Sequence, residues 1–134
     1  MKKISAVMLL IIGFIATSFI LKYDDGNPWN VPEAAKNKKN PIATSAASIA
    51  EGKSLWNLHC KSCHGAKGLG DGNKAAQLKT EPGNFSLAAT QSQTDGSLFY
   101  KTTEGRDDMP GFKKKIPDED DRWHVVNYMR TFKK

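Results

Sequence analysis

The chain contains only two cysteines, Cys60 and Cys63, and His64 follows the second directly. Two thiols three positions apart, followed at once by an imidazole, form the attachment pattern of c-type haem. Each thiol can add to one vinyl group of a porphyrin, which leaves the histidine beneath the ring as an iron ligand. The motif therefore predicts one covalent haem c, attached to Cys60 and Cys63, with His64 as the proximal ligand of the iron.

The same cysteine spacing also occurs in thioredoxin-like redox sites and in structural zinc sites. A redox pair is expected beside a strand–helix–strand pattern, and zinc needs a second ligand pair at similar spacing. Neither pattern is present, and His59 and His124 each stand without a partner at metal-site spacing. We therefore favour haem attachment over both alternatives.

A length of 134 residues allows one folded domain. Composition divides the chain into three predicted segments: a membrane anchor or signal at 1–22, a linker or arm at 23–45, and the haem domain at 46–134. The core must come from about 90 residues, which is marginal unless a cofactor adds to it. A covalently held haem supplies that apolar surface.

The N-terminus combines Lys2 and Lys3 with the uncharged, largely apolar run Ile4–Leu21. This pattern is typical of an export signal, and the run just reaches the length of a membrane-spanning helix. A small-residue cleavage pattern at Ala16–Ser18 lies inside the run, so we favour an uncleaved anchor over a removed signal that would leave a soluble periplasmic protein. The positive-inside rule then predicts that the haem domain faces the periplasm.

The segment 23–45 has three prolines and little apolar periodicity. We favour a solvated tether, and the alternative is an arm that wraps on the haem domain or on a partner subunit. Three apolar residues are available to hold such an arm to a surface: Trp29, Val31 and Ile42.

Helix signals occur throughout the segment 46–134. Ser48 and Glu51 form a capping box that predicts a first helix over about 49–61, in which Gly52 permits close contact with another helix. A glycine-rich loop follows the cysteines, and a short helix is plausible over 74–78. Thr94 and Asp118 are predicted to cap two further helices, the first ending at Gly105. Because no hairpin or alternating pattern appears, the domain is predicted to be all-α.

Met109 is the predicted sixth ligand of the iron. It lies between two predicted helices, and Pro110 follows it in a stretch of charged and turn residues. A thioether ligand raises the reduction potential and blocks access of small molecules. Met129 instead falls in helical register with Val125 and Phe132, as expected for a core methionine. His59 and His124 are weaker candidates for this position.

In these motifs the chain resembles the class I cytochromes c, in particular the small bacterial monohaem domains. The resemblance covers about residues 48–134 and rests on Cys60–His64, on the loop Met109–Phe112 and on the final helix around Trp123–Phe132. It implies a fold of three to five short helices around one haem, in which the first and last helices cross through Gly52 and Trp56 against Val126 and Tyr128. It also implies that a proline carbonyl, here that of Pro82, accepts a hydrogen bond from Nδ1 of His64.

The net charge of +6 is divided equally between residues 1–45 and 46–134. This excess is too small and too evenly spread for nucleic-acid binding, but it is compatible with an acidic protein partner. Lys113, Lys114 and Lys115 follow the methionine loop, where they either surround an exposed haem edge or form a solvated turn.

The predicted function is transfer of single electrons between respiratory-chain partners outside the cytoplasmic membrane, without an enzymatic reaction or a small-molecule substrate. One alternative is a fixed haem subunit of a larger membrane respiratory complex. A second alternative is a haem enzyme or gas sensor, which requires a vacant sixth position on the iron.

Overall fold

The computed structural model describes residues 29–134. The predicted anchor at 1–22 and the first residues of the arm lie outside this range. In the described part of the chain, the order of elements is α1 (Glu33–Lys36), α2 (Ala46–His59), α3 (Lys61–His64), a 3₁₀ turn (Ala75–Gln77), α4 (Ala88–Gln91), α5 (Asp95–Glu104) and α6 (Glu119–Arg130).

The prediction of an all-α domain is confirmed. Residues 29–134 contain no strand, and their one β-bridge joins Arg106 to Met109 inside a loop. No helix within this range is long and apolar enough to cross a bilayer.

Helix α2 begins one turn earlier than predicted. Its N-cap is Ser45, whose hydroxyl accepts a hydrogen bond from the Ser48 backbone N–H at 3.1 Å. The predicted capping box at Ser48 is therefore wrong. Ser48 is buried inside the helix, where its hydroxyl contacts Nδ1 of His124 and accepts a hydrogen bond from the Asn127 side chain, each at 2.8 Å. Because Ser45 has the same capping chemistry, Ser48 is available for packing against α6.

The caps predicted for the last two long helices are confirmed. Thr94 accepts from the Ser97 N–H at the start of α5, and this helix ends before Gly105. Asp118 accepts from the Asp120 N–H at the start of α6. Three acidic residues in the first turn of α6 and Arg130 in its last turn complement the helix dipole.

The main packing contact joins α2 to α6 through Gly52. A Cβ at this position would collide with the His124 backbone carbonyl and lie 2.9 Å from Cβ of Tyr128. Trp56 lies one turn further along α2, with its ring centroid 6.0 Å from that of Tyr128. The crossing thus uses Gly52, Trp56 and Tyr128, as the resemblance implied.

The core continues from this crossing to α5, where the rings of Phe99 and Trp123 stack at 3.9 Å. Trp56 and Trp123 are completely buried. Arg130 joins the end of α6 to the start of α5, because its guanidinium donates to the Asp95 carboxylate at 2.6 Å and to the Gln93 carbonyl at 2.6 Å.

The N-terminal arm, residues 29–45, lies on the domain. Val31 is buried, and Gly96 of α5 packs directly against the backbone of α1 and the turn after it. The Lys38 ammonium contacts the Glu119 carboxylate at 2.6 Å, and the Asn40 side chain donates to that of Asn127 at 2.8 Å. Of the two interpretations of this segment, these contacts fit an arm on the haem domain and not a solvated tether.

Candidate haem-binding site

The residues of the cysteine motif lie where α2 ends and α3 begins. Cys60 separates the two helices, and Cys63 and His64 form the last turn of α3. The two cysteines do not form a disulfide with each other. Among the described residues, no group of three or more histidine, cysteine or acidic side chains has an arrangement that would hold a metal ion.

The glycine-rich loop folds back on this motif. The N–H groups of Gly70, Gly72 and Lys74 donate to the carbonyls of His64, Cys63 and Ser62 at 2.9, 3.1 and 2.8 Å. Gly70 has a φ of +78°, and a Cβ at Gly72 would overlap the carbonyls of Ser62 and Cys63. Glycine is therefore required at both positions for the loop to pack against the motif.

Trp56 holds the other side of the motif. Its indole Nε1 donates to the Gly65 carbonyl at 3.0 Å, and its ring centroid lies 5.6 Å from that of His64. Phe85 meets the His64 ring edge-on at 5.1 Å. The imidazole is thus fixed between two aromatic rings that belong to distant parts of the chain.

Burial shifts the pKa of two motif residues. With a smaller contribution from the neighbouring Cys63, it raises the pKa of the Cys60 thiol to about 12. Burial lowers the pKa of His64 to about 4, an effect that the Pro82 carbonyl opposes. The imidazole is therefore neutral at neutral pH and has a lone pair for a metal.

The resemblance implied a hydrogen bond between Nδ1 of His64 and the Pro82 carbonyl. The Pro82 backbone acts on the pKa of His64 as a hydrogen-bond partner does, whereas Nδ1 lies outside the geometry of a regular hydrogen bond and has no other partner. With Nδ1 beside the Pro82 backbone, the other ring nitrogen, Nε2, is the one available to a metal, and His64 lines a cavity beside the motif, as expected of a haem ligand.

A cavity of about 640 Å³ lies beside the motif. Its size falls in the range of cofactor sites in proteins. The four residues predicted to bind the haem all line it, namely Cys60, Cys63, His64 and Met109. The structure therefore brings together residues that are up to 49 positions apart in the chain.

The Met109 loop is held by its own backbone and by one side chain. The N–H of Arg106 donates to the Met109 carbonyl at 2.8 Å, and the N–H of Met109 donates to the Arg106 carbonyl at 2.9 Å. Asp107, inside this turn, has a φ of +51°. The Asp108 carboxylate accepts from the Lys79 backbone N–H at 2.7 Å, which joins the loop to the segment after the 3₁₀ turn.

Sequence reasoning placed Met129 in the core and did not place Trp29 at the haem site, yet both line this cavity. Met129 is also a buried core residue on α6. His59, a weaker candidate for the sixth ligand, lines the cavity as well. Trp29 reaches the cavity from the arm. Whether such residues line the cavity depends on which face of each segment is turned toward it. No local signal in the sequence marks that face. His124 is not among the lining residues and contacts Ser48 instead.

Residues 47–129 match the protein family described as cytochrome C oxidase, cbb3-type, subunit III. Cytochrome c6 of Leptolyngbya boryana is 33% identical over 73 residues, which cover 54% of this chain and 80% of that protein. Cytochrome c6 of Synechocystis sp. is 33% identical over 75 residues, which cover 56% of this chain and 58% of the relative. The chain thus spans little more than half the length of the Synechocystis protein.

Two solved structures share the fold. A chain of the Kuenenia stuttgartiensis reducing HAO-like protein complex is 25% identical with a TM-score of 0.62, over 70% of this chain and 47% of that one. The KustC0563 c-type cytochrome is 29% identical with a TM-score of 0.55, over 62% of this chain and 98% of that one. The chain therefore belongs to the family described as cytochrome C oxidase, cbb3-type, subunit III, as a small monohaem class I cytochrome c that carries covalent haem c.

Proposed function

We propose that this protein carries single electrons between respiratory-chain partners on the periplasmic side of the cytoplasmic membrane, with Cys60 and Cys63 bonded to the haem and His64 and Met109 as the axial ligands. The observation that carries this proposal is the shared cavity, which is lined by the cysteine motif and by a methionine from a separate loop.

When bound, haem supplies a one-electron ferrous/ferric couple. The chain's residues make that couple suitable for transfer. His64 is neutral and fixed between Trp56 and Phe85, and Met109 belongs to a turn closed by two backbone hydrogen bonds. Ligands held in this way keep their positions when the charge on the metal changes, so little rearrangement opposes each electron transfer.

The choice of Met109 over Met129 depends on where each side chain belongs. Met129 is almost completely buried in the core between α6 and its neighbours, whereas Met109 is half-buried in a loop of charged residues. Packing inside a helix interface accounts for Met129, whereas Met109 reaches the edge of the core from a loop whose neighbouring side chains are charged, and it lines the cavity without belonging to a helix.

Spectroscopy of two matched variants tests this choice. We expect Met109→Ala to lose the far-red absorption band of a thioether–iron bond in the oxidised protein and to lower the reduction potential. Met129→Leu, which conserves volume, should keep both properties. Loss of the band in Met129→Leu and its retention in Met109→Ala would reverse the assignment. A wild-type protein that has no such band and binds carbon monoxide rapidly when reduced would instead favour a haem enzyme or gas sensor.

The proposed partners are proteins with an acidic docking surface. Lys113, Lys114 and Lys115 are exposed beside the methionine loop, and Lys115 also lines the cavity. Cationic side chains at this rim would accelerate association with an acidic partner at low salt. The opposite reading, a solvated turn, predicts no such effect.

Charge reversal tests the lysine surface. Replacement of all three lysines by glutamate should slow reduction of the protein by its partner at low ionic strength, and the difference should shrink as salt is added. The matched control makes the same charge change at three exposed lysines elsewhere: Lys39, Lys133 and Lys134. Equal rates for the two triple variants would remove Lys113–Lys115 from the docking surface.

The membrane context of the proposal rests on the sequence of residues 4–21. We propose that this segment anchors the domain at the periplasmic face, with a soluble periplasmic form after cleavage as the alternative. Membrane fractionation and N-terminal sequencing of the exported protein distinguish the two. A protein that is washed from membranes and begins after residue 21 would refute the anchor.

A fixed subunit of a respiratory complex is the second candidate function. Two findings favour it: the description of the matching family as an oxidase subunit, and a structural relative that belongs to a protein complex. Purification in mild detergent tests it. Stoichiometric recovery of larger membrane subunits with this chain supports a fixed subunit, whereas recovery of the chain alone supports a shuttle.

A further inference from the structure

The methionine loop is in contact with a residue from outside the family region. Trp29 belongs to the arm that precedes residues 47–129, and its ring lies 4.7 Å from the guanidinium carbon of Arg106 and 5.4 Å from Nζ of Lys101. Arg106 is the residue whose backbone pairs with Met109. Arg106 therefore lies between Trp29 and Met109, the predicted ligand.

The arm holds Trp29 in this place through several contacts. Val31, two residues further on, is buried, and the backbone of α1 packs on Gly96. Lys38 and Asn40 form side-chain bonds to α6. Because the arm is attached along its length, Trp29 is presented to the loop by a fixed support.

The loop itself is a conformation that needs support. Asp107 has positive φ, which is uncommon for residues other than glycine. Contact with Lys79 through Asp108 holds the loop on one flank. The ring of Trp29 packs on the side chain of Arg106, at the residue where the turn begins.

We propose that Trp29 is a positioning residue for the axial methionine: by packing on Arg106 it holds the Arg106–Met109 turn closed and covers the cavity beside it. The proposal rests on the proposed ligation of iron by Met109. It assigns to the arm a role in keeping the sixth coordination position occupied, in addition to any role as a connection to the N-terminal segment.

Competition for the sixth position tests this role in the holoprotein. Imidazole added to the oxidised protein should replace the thioether about three- to tenfold faster in Trp29→Ala than in wild type, a factor within the range of a single cation–π contact. Trp29→Phe retains a ring to pack on Arg106 and should recover most of the difference. Lys39→Ala, an exposed change in the same arm, should behave as wild type.

Hydrogen exchange gives a second readout that does not require the iron bond. The N–H groups of Arg106 and Met109 should exchange faster in Trp29→Ala, while those in the middle of α6 keep their wild-type protection. Unchanged exchange at both loop amides would overturn the proposal, whatever ligand the iron has. A wild-type protein without a thioether bond would refute ligation by Met109, and the exchange result would still decide whether Trp29 holds the turn.

A variant of the other partner tests the same contact if Trp29→Ala does not fold. Arg106→Gln removes the guanidinium from beneath the ring and should accelerate the same imidazole reaction. In the double variant the rate increase should be smaller than the product of the two single-variant increases, because both substitutions remove the same contact between Trp29 and Arg106. Multiplicative effects would show that Trp29 and Arg106 act separately and would overturn the proposal.

Discussion

At Gly52 the absence of a side chain allows the close packing of α2 against α6. The glycine lowers the helix propensity of α2, but it allows the backbone of α6 to approach the helix directly at His124. A glycine inside a predicted helix is a visible signal, and it correctly predicted a close helix contact. The identity of the residue on the other helix came from the family resemblance and from the structure.

Gly52→Ala is expected to destabilise the holoprotein by about 1–2 kcal/mol. The added methyl group meets a backbone carbonyl and a Cβ, neither of which can rotate away, so the overpacking cost lies in the upper part of its usual range of about 1–3 kcal/mol and exceeds the gain of about 1 kcal/mol in helix propensity. Guanidinium unfolding measures the difference. Ser54→Ala, on the exposed side of α2, should stay within about 0.5 kcal/mol of wild type. An equally stable Gly52→Ala would show that the helices can separate at little cost.

Other residue contacts were outside the reach of sequence reasoning. Trp29 and Arg106 are far apart in the chain, and Asp108 bonds to a backbone group 29 positions away. Such contacts depend on which segments lie close together in the folded chain. The residues next to each partner in the sequence do not indicate this.

At the scale of elements, helix ends were predicted where a side chain caps its own helix. Thr94, Asp118 and Gly105 act within one turn of their positions, so local sequence is sufficient. The start of α2 was misplaced because Ser45 and Ser48 can both cap a helix. Tertiary packing against His124 and Asn127 decided between them.

Thr94→Ala should weaken α5 and destabilise the protein by about 1 kcal/mol, because the Ser97 N–H loses its acceptor. Thr94→Ser keeps the hydroxyl and should lose much less. Chemical denaturation compares the two variants, and hydrogen exchange should show the change first in the amides of the first turn of α5. Equal stability of the alanine and serine variants would mean that the cap contributes nothing.

At the scale of the whole molecule, the cavity beside the cysteine motif occupies the place of a core. It is lined by large buried residues such as Trp56, Leu98 and Phe112. Without haem these apolar side chains would face water along one side, and burial of that surface against the porphyrin is a large part of what can stabilise so small a domain. Folding and haem attachment are therefore expected to be coupled.

The double variant Cys60→Ser/Cys63→Ser should therefore lack cooperative folding, since serine cannot form the thioether bonds. Its circular dichroism should show reduced helix content and no sharp thermal transition. The single variant Cys63→Ser retains one attachment point and serves as the control, with an intermediate stability. A cooperative thermal transition of the haem-free chain would show that the packed helices are sufficient without the cofactor.

The sequence by itself determined that this chain carries haem c and that its domain is helical. Both conclusions rest on short-range patterns: two thiols and an imidazole within one turn, and apolar or capping residues at helical spacing. Only the tertiary structure decided that the arm at 29–45 lies on the domain, that Met129 and His59 share the cavity with Met109, and that Trp29 packs on Arg106. These facts depend on which helix faces meet, and that is a property of the packed chain and not of any segment of it.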